Sequence, residues 1–344
     1  WTGQTMTQPF FSVIIVNYNG GAYLQGAIDS LTRQSFSDFE VFVVDNASTD
    51  GSMDGLDISH SKQPVHLMPQ SRNTGFAEGN NIAARQANGQ WIALLNADAE
   101  ADPDWLLTLH SAIGMYPDYR MIASLQVRMD DPDQLDGAGD GYSAYGFAWR
   151  GGYLKPRSST PKRGETFGPC GASAAYETAA FLEHGGFDES YFCYMEDVDL
   201  AFRMRLAGEK CLFLPEAIVT HKGGGLSGEK SEFSVVHGTR NRVWTYLGNM
   251  PSALFWVTLP IHLALTSYLA LWYVFRPYGR YVRKGLIQGW SKAWGVRRNR
   301  KLLRAERIAS VSDLIKSMTW NPIKMSRHKP DVRPFSDIPS LKDT

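Results

Sequence analysis

Between residues 11 and 115 the chain repeats one pattern four times: a short apolar run, a cluster of Asn, Asp or Gly, then a stretch with apolar residues three and four apart. "FFSVIIVNYN" is rich in Val and Ile and apolar enough for a strand buried on both faces. "GGAYLQGAIDSLTRQS" then sets Leu24, Ala27, Ile28 and Leu31 at helical spacing. The pair recurs as "FEVFVVDNAS" with "TDGSMDGL", as "VHLMPQSRN" with "FAEGNNIAARQANG", and as "WIALLNADAE" with "PDWLLTLHSAIGMY", where Pro103 fits a first helical turn. Apolar strands joined by helices predict an α/β fold with a mostly parallel sheet covered on both faces. Ligands of such sheets bind beyond the carboxyl ends of the strands.

Polar groups collect at those ends: Asn17 and Asn19, Asp45 and Asn46, Arg72 and Asn73, Asn96 and Asp98. In extended chain, residues two apart point the same way, so Asn96 and Asp98 are expected to share a side, with Glu100 a further candidate. Each residue alone could simply cap a helix or a turn. Four strand ends together predict one polar crevice.

Composition adds a division of the chain. Lys plus Arg and Asp plus Glu number 35 each, but residues 276–307 hold eleven of the basic residues against only Glu306, which leaves 24 basic and 34 acidic residues elsewhere. An acidic body therefore carries a basic tail. Cys170, Cys193 and Cys211 form no CxxC pair, so neither a disulfide framework nor a zinc site is expected and a reducing compartment fits. "WTGQTMTQPFF" has neither a basic start nor an apolar core, so no signal peptide is expected there, and residues before Phe10 are expected to carry no fold.

The first strand is followed by "NYNGGAY", not GxGxxG, and no GxxxxGK[ST] occurs, so hydride transfer and P-loop phosphoryl transfer lack support. A carboxylate-bearing loop after a buried strand suits a hard divalent cation, which could offset the charge of a leaving nucleoside diphosphate. In "YMEDVDLAFRMRLAG", Val198, Ala201, Phe202 and Leu206 give an amphipathic helix with Glu196, Asp197 and Asp199 in its first turn, where the helix dipole favours negative charge. The same placement could aim a general base into the crevice. His221 follows another apolar run and reads either as a turn residue or as a ligand.

"FSVIIVNYNGGAYLQGAIDSL", "VFVVDNASTDGS", "RNTGFAEGNN", "WIALLNADAE", "GGFDESYFCYMEDVDLAFRMRLAG" and "VTHKGGG" together resemble the inverting family 2 glycosyltransferases of the GT-A fold, in particular rhamnosyltransferase-type enzymes of bacterial surface polysaccharide assembly. The resemblance covers residues 10–250. It implies that Asn17, Tyr18, Asn19, Asp45 and Asn46 frame the donor base and ribose, with Asp45 accepting from a pyrimidine N3–H. It places Arg72, Asn73 and Gly75 along the nucleotide. It makes Asp98 a ligand of Mg²⁺ or Mn²⁺ between the donor phosphates, with Asn96 on the sugar or ribose and His221 as an additional metal or diphosphate ligand. Asn96 stands where the family's Asp-x-Asp motif usually has its first carboxylate. Asp197 would be the general base, with Glu196 orienting acceptor or helix, and a single base implies inversion. The glycines at 223–225 would form a closing loop, and "RNR" at 240–242 would place a cation near phosphate or sit on a solvated helix face.

Residues 253–275 are 23 uncharged residues, interrupted by Pro260 and His262. They are long enough to cross a bilayer core of about 30 Å. A single crossing from a cytoplasmic catalytic domain would carry the eleven basic residues outside, against the positive-inside tendency, so peripheral or monotopic attachment to the cytoplasmic face of the inner membrane is expected. The chain thus divides into a GT-A domain at 10–250, an apolar and basic membrane-associating segment at 251–307 and a polar tail at 308–344. The expected partners are a dTDP- or UDP-sugar, with dTDP-rhamnose the donor the resemblance suggests, a lipid-linked saccharide and an anionic membrane. No nucleic-acid recognition module accompanies the basic stretch. A sugar nucleotidyltransferase and a non-catalytic nucleotide-sugar-binding scaffold are the alternatives.

Overall fold

The computed structural model describes residues 8–223, 230–305, 307–338 and 340–341. Strands β1 (Phe11–Asn17), β2 (Phe39–Asp45), β3 (Val65–Pro69) and β4 (Trp91–Leu95) run parallel in the order β3-β2-β1-β4. Register places Asn17 beside Asp45 and Asp45 beside Pro69, so the polar strand ends form a row. Because successive strand side chains face opposite ways, each strand feeds two cores. Ile14, Phe42, Val44, Ile92 and Leu94 enter one; Val13, Ile15, Val41, Val43, Ala93 and Leu95 enter the other. Helix α1 (Ala22–Thr32) covers the second face, α2 (Gly75–Ala84) the first, and α3 (Trp105–Met115) returns to the second through Trp105, Leu106 and Leu109.

Residues 49–56, where the pattern predicts a helix, form turns and bends instead. Nearby, Asp50 and Asp57 accept hydrogen bonds from the backbone N–H groups of Ser52 and Ser59, local pairings that compete with a helical ladder.

The second half of the sheet uses β5 (Ala99–Ala101), β6 (Tyr119–Arg128), β7 (Leu135–Ala138), β10 (Gly164–Thr166), β11 (Ser173–Glu177), β12 (Lys210–His221) and β13 (Arg333–Pro334). A separate hairpin joins β8 (Asp140–Tyr142) and β9 (Ala148–Arg150). From β4 the order continues β11-β6-β12-β10-β13, with β5 on β12 and β7 on β6. β11 is antiparallel to both β4 and β6, while β12 is parallel to β6. Two reversals restore direction, so β6 and β12 end at the same edge as β1 to β4. The sheet is mixed, with its parallel half at the N-terminal end of the chain, and that edge gathers His221 with Asn96 and Asp98.

Helices α4 (Thr178–Glu183), α5 (Glu196–Leu206) and α6 (Glu232–Asn249) pack on the first face, followed by α7 (Ser252–Trp272), α8 (Gly279–Ser291), α9 (Ala293–Asn299) and α10 (Lys301–Ala305). α7 runs unbroken through Pro260 and is long and apolar enough to cross a membrane. Its buried positions are Leu254, Phe255, Thr258, His262 and Thr266, so Thr258, His262 and Thr266 form a polar stripe against the protein, whereas Ser252 and Ser267 are exposed. Trp256, Val257, Ile261, Leu263, Tyr268, Leu271 and Trp272 are exposed. Beyond its first turn the helix turns three polar groups toward the protein and many of its large apolar groups outward.

Three residues of the basic stretch turn inward. Arg297 Nη1 donates to the carbonyls of Leu247 and Met250 at 3.1 and 3.3 Å, and Arg304 donates to that of Gly248, so both cations sit at the carbonyl-rich end of α6. Arg300 joins Asp188 and the fully buried Asp199, which also accepts from Arg203, Asn249 and Tyr191. Removing one partner from such a buried network costs about 3–5 kcal/mol. The segment expected as a polar tail also packs. Ile308 and Ala309 donate to the Leu206 carbonyl, Leu314 and Met318 enter the core, and β13 extends the sheet beside β10.

Candidate active site

A cavity of about 1020 Å³ opens at the strand-end edge. Tyr18, Asn46, Asn73 and Gly75 line one part of it, Asn96, Asp98, Asp136, Arg150 and His221 another, and Phe192, Cys193, Tyr194, Lys230 and Phe233 a third.

The residues expected along a nucleotide divide into lining and bracing groups. Asn17 is fully buried; its Nδ2 lies 3.0 Å from Asp45 Oδ1, Ser48 Oγ and Ser52 Oγ, and its Oδ1 accepts from Gly20 N. Asp45 accepts in addition from the Ser48 hydroxyl at 2.6 Å. Asn19 Oδ1 accepts from Thr49 N at 2.8 Å. These three fix the loops after β1 and β2 against each other. Asn46 ties the same region to α2 by donating to the Gly75 carbonyl and accepting from the Thr74 hydroxyl. Arg72 lies outside the lining, exposed and 3.4 Å from Glu78. Gly75 has φ +85°, and a Cβ there would lie 2.6 Å from the Phe192 carbonyl oxygen, so its smallness admits the loop before α5 as well as opening the cavity.

Asn96 and Asp98 meet by a turn rather than by strand alternation. β4 stops at Leu95 and Ala99 N donates to the Asn96 carbonyl at 3.1 Å, while Glu100 leaves on β5 toward Arg33, 3.9 Å away. His221 reaches the same turn from the end of β12, because β12 pairs with β5 in the register His221 to Ala99. Its Nε2 lies 3.3 Å from Asp98 Oδ1 and 3.3 Å from Asn96 Nδ2, and its Nδ1 lies 2.8 Å from Asp136 Oδ2. Asp136 in turn takes Arg150 Nη1 at 2.5 Å. Burial opposes charge on His221, but Asp136 and Asp98 outweigh it and raise its pKa above the usual 6.5. Burial would likewise push Asp136 up; Arg150 and His221 overcome it and hold the carboxyl below its ordinary range.

The donor set fits a divalent cation. Asp98 offers a carboxylate, and when neutral His221 donates its Nδ1–H to Asp136 its Nε2 is left as the lone-pair nitrogen facing Asp98, with the Asn96 Nδ2 beside it.

α5 begins after an unusual backbone run: Phe192, Tyr194 and Met195 all have φ between 65 and 72°. For residues with side chains each such conformation costs on the order of 1–3 kcal/mol. Asn241 of α6 holds the run in place, with Nδ2 3.0, 3.0 and 2.7 Å from the carbonyls of Tyr191, Cys193 and Tyr194. Asn241 belongs to "RNR", whose Arg240 lies 4.5 Å over the Trp244 ring and donates to the Tyr191 carbonyl. The run delivers Glu196 and Asp197 to the first turn of α5. Asp197 accepts from Gly171 N and Val198 N, both at 2.8 Å. Burial raises its pKa despite those N–H groups and the charge of Arg150. Glu196 is almost fully buried with no hydrogen-bond partner for Oε2 among the described residues, and burial plus the charge of Asp197 drive its pKa well up. Ligating atoms of Asp140, Cys170 and Asp197 lie within 4.8 Å of one another. Burial pushes the Cys170 thiol up to about 12 and, with Asp197, raises Asp140 strongly.

Gly223 lines the cavity; Gly224 and Gly225 of the expected closing loop lie outside the described residues, as do residues 1–7. Asp136, Arg150 and Asn241 are the additions that sequence reasoning lacked.

The Glycosyl transferase family 2 model matches residues 12–184, half of the chain. The chain belongs to glycosyl transferase family 2. The match ends before α5, so the Asp197 turn and His221 lie beyond it. Among relatives of this glycosyltransferase is the N-acetylglucosaminyl-diphospho-decaprenol L-rhamnosyltransferase of Mycobacterium tuberculosis, 26% identical over 290 residues, which cover 75% of this chain and 90% of the relative. A putative teichuronic acid biosynthesis glycosyltransferase, TuaG of Bacillus subtilis, is 32% identical over 103 residues, 30% of this chain and 41% of TuaG. Two solved structures share the fold. The mannosyltransferase PcManGT of Pyrobaculum calidifontis, in complex with GDP-Man and Mn²⁺, has a TM-score of 0.51 and 18% identity over 84% of this chain and 88% of its own. S. aureus TarS 1–349, in complex with UDP-GlcNAc, has a TM-score of 0.54 and 17% identity over 90% and 93%.

The carboxylate pair around His221 generates a titration test. Asp136→Asn removes one anion that holds the imidazolium, so the His221 pKa should fall, read from its ring resonances in an NMR pH titration; an unchanged or higher pKa contradicts the arrangement.

Proposed function

We propose that this glycosyltransferase moves a sugar, rhamnose in the first instance, from a dTDP- or UDP-sugar to a lipid-linked saccharide with inversion at the anomeric carbon. The observation that carries the reading is the meeting of Asn96, Asp98 and His221 in the strand-end cavity, which Arg150 also lines; the charge of Arg150 is felt at Asp197, just outside the lining. Tyr18, Asn46, Asn73 and Gly75 would bind the nucleotide, with Asp45 braced behind them. Mg²⁺ or Mn²⁺ held by Asp98 and His221, with Asn96 beside them, would supply positive charge to the leaving diphosphate. Arg150, already charged and partly exposed to the cavity, would add to it.

Asp197 would act as the general base. Burial raises its pKa, which makes it a better proton acceptor than an ordinary carboxylate. The acceptor oxygen attacks the anomeric carbon as the bond from that carbon to the phosphate oxygen breaks; the hydroxyl proton passes to Asp197 and the electron pair leaves with the diphosphate. One displacement inverts the centre. Phe192, Tyr194 and Phe233, with ring centres 5.9 Å apart from Phe233 to each of the others, offer aromatic faces for acceptor sugars at the cavity wall.

The outward apolar face of α7, ending in Trp272 and the almost fully exposed Phe275, adjoins exposed Arg276, Arg280 and Arg283. Apolar groups bordered by cations suit an anionic bilayer surface, and the inward polar stripe of α7 favours a helix lying on the membrane's cytoplasmic face over one crossing it.

Asp197→Asn is expected to lower kcat by about 10²–10⁴ while dTDP or UDP affinity stays within twofold, measured by product formation and nucleotide titration. NMR should find the product's anomeric configuration opposite to the donor's. A variant with full turnover, or a retained configuration, contradicts the mechanism. For the membrane, the chain should sediment with vesicles containing phosphatidylglycerol and Phe275→Glu should weaken this severalfold; equal sedimentation of both proteins contradicts the assigned face.

A further inference from the structure

A second cavity, of about 370 Å³, lies between α6, α7 and α8, and its wall shares Lys230 and Ser234 with the strand-end cavity. The volume is within the range of roughly 300–1,000 Å³ common to small-molecule sites. Val235, Leu269, Val282 and Leu286 make the wall largely apolar. Polar groups interrupt it where a soluble core would avoid them. The Arg242 guanidinium rests 4.2 Å from the Phe147 ring centre, and among the described residues no carboxylate pairs with it. Lys230, 5.7 Å from the Tyr278 ring centre, likewise has no carboxylate partner among the described residues. Thr266 is 5% exposed, and its Oγ1 has no hydrogen-bond partner among the described residues.

Two cations and an unsatisfied hydroxyl against apolar walls call for a ligand with phosphate oxygens at one end and hydrocarbon beside them. Leu269 and Tyr273 in the wall belong to the chain stretch that carries the exposed Leu271, Trp272 and Phe275, so a hydrocarbon tail leaving the cavity would emerge at the face assigned to the bilayer. We infer that this cavity binds the diphosphate and first prenyl units of a lipid-diphosphate acceptor, with Lys230, Arg242 and Thr266 on the phosphates and the acceptor sugar passing Lys230 and Ser234 into the strand-end cavity. The inference rests on the lipid-linked acceptor proposed above. Burial without an anion opposite also pushes the Arg242 pKa down to about 10, a strain on its charge that a bound phosphate relieves.

Gly238 supplies a clean test. It lines the cavity, and a Cβ there would meet nothing within 4 Å. Gly238→Leu therefore fills the space and improves helix propensity in α6. Full-length protein saturated with Mn²⁺ and UDP or dTDP, so that the donor site is occupied, is titrated calorimetrically with farnesyl diphosphate and with farnesol. Farnesyl diphosphate should bind at least tenfold more tightly than farnesol, and both Gly238→Leu and Arg242→Gln should weaken it at least tenfold with nucleotide affinity unchanged within twofold. Failure of the parent chain to bind farnesyl diphosphate under nucleotide saturation, or unchanged binding in both variants, overturns the assignment. Failure of the parent to bind any nucleotide is a separate readout and counts against the donor site.

Discussion

The imidazole of His221, held between Asp136 and Asp98, ties together three stretches that are far apart in sequence. Asp98 belongs to the turn after β4, Asp136 to β7, and His221 to the end of β12. Their meeting depends on strand direction. β11 reverses against β4, β6 reverses again, and β12 follows β6, so its last residue arrives at the edge where β1, β2 and β4 end. Had β12 run the other way, His221 would lie at the opposite edge. Arg150 then balances the second carboxylate, which lets two acids and one base share a buried site.

The acidic turn of α5 depends on a different constraint. Phe192, Tyr194 and Met195 keep left-handed backbone because Asn241 binds the carbonyls of Tyr191, Cys193 and Tyr194. Gly75 permits the close approach of Phe192. Strain of this kind is stable only where neighbours impose it, and here it presents Asp197 on a rigid turn instead of a mobile loop. Asp199, two residues on, has the opposite fate: Arg203, Arg300, Asn249 and Tyr191 surround it, and it serves the packing of the C-terminal helices.

What could be read from sequence was local. The apolar runs of β1, β2 and β4 and the helical spacing in α1 and α3 carry their own periodicity, and Asn46, Asn73, Asn96, Asp98 and His221 sit where strand ends predict a crevice. Asp136 and Arg150 had no such signal, since their roles exist only once β7 and β9 lie against the end of β12. Asn17, Asn19 and Asp45 share the strand-end pattern but brace loops, because hydrogen bonding among them exhausts much of their capacity. The basic stretch misled in part: charge counts cannot tell Arg280, exposed on α8, from Arg297 and Arg304, which close the carbonyl end of α6.

The central claim is that Asp98 and His221 form the cation site beside the donor diphosphate, while Asp197, clustered with Asp140 and Cys170, takes the acceptor proton instead of binding metal. Crystals grown with Mn²⁺ and UDP or dTDP, measured for anomalous scattering, test it directly. The account predicts a manganese peak bounded by Asp98 and His221 Nε2, in contact with diphosphate oxygens. A peak at the Asp140, Cys170 and Asp197 cluster, or none at His221 with nucleotide bound, would contradict it.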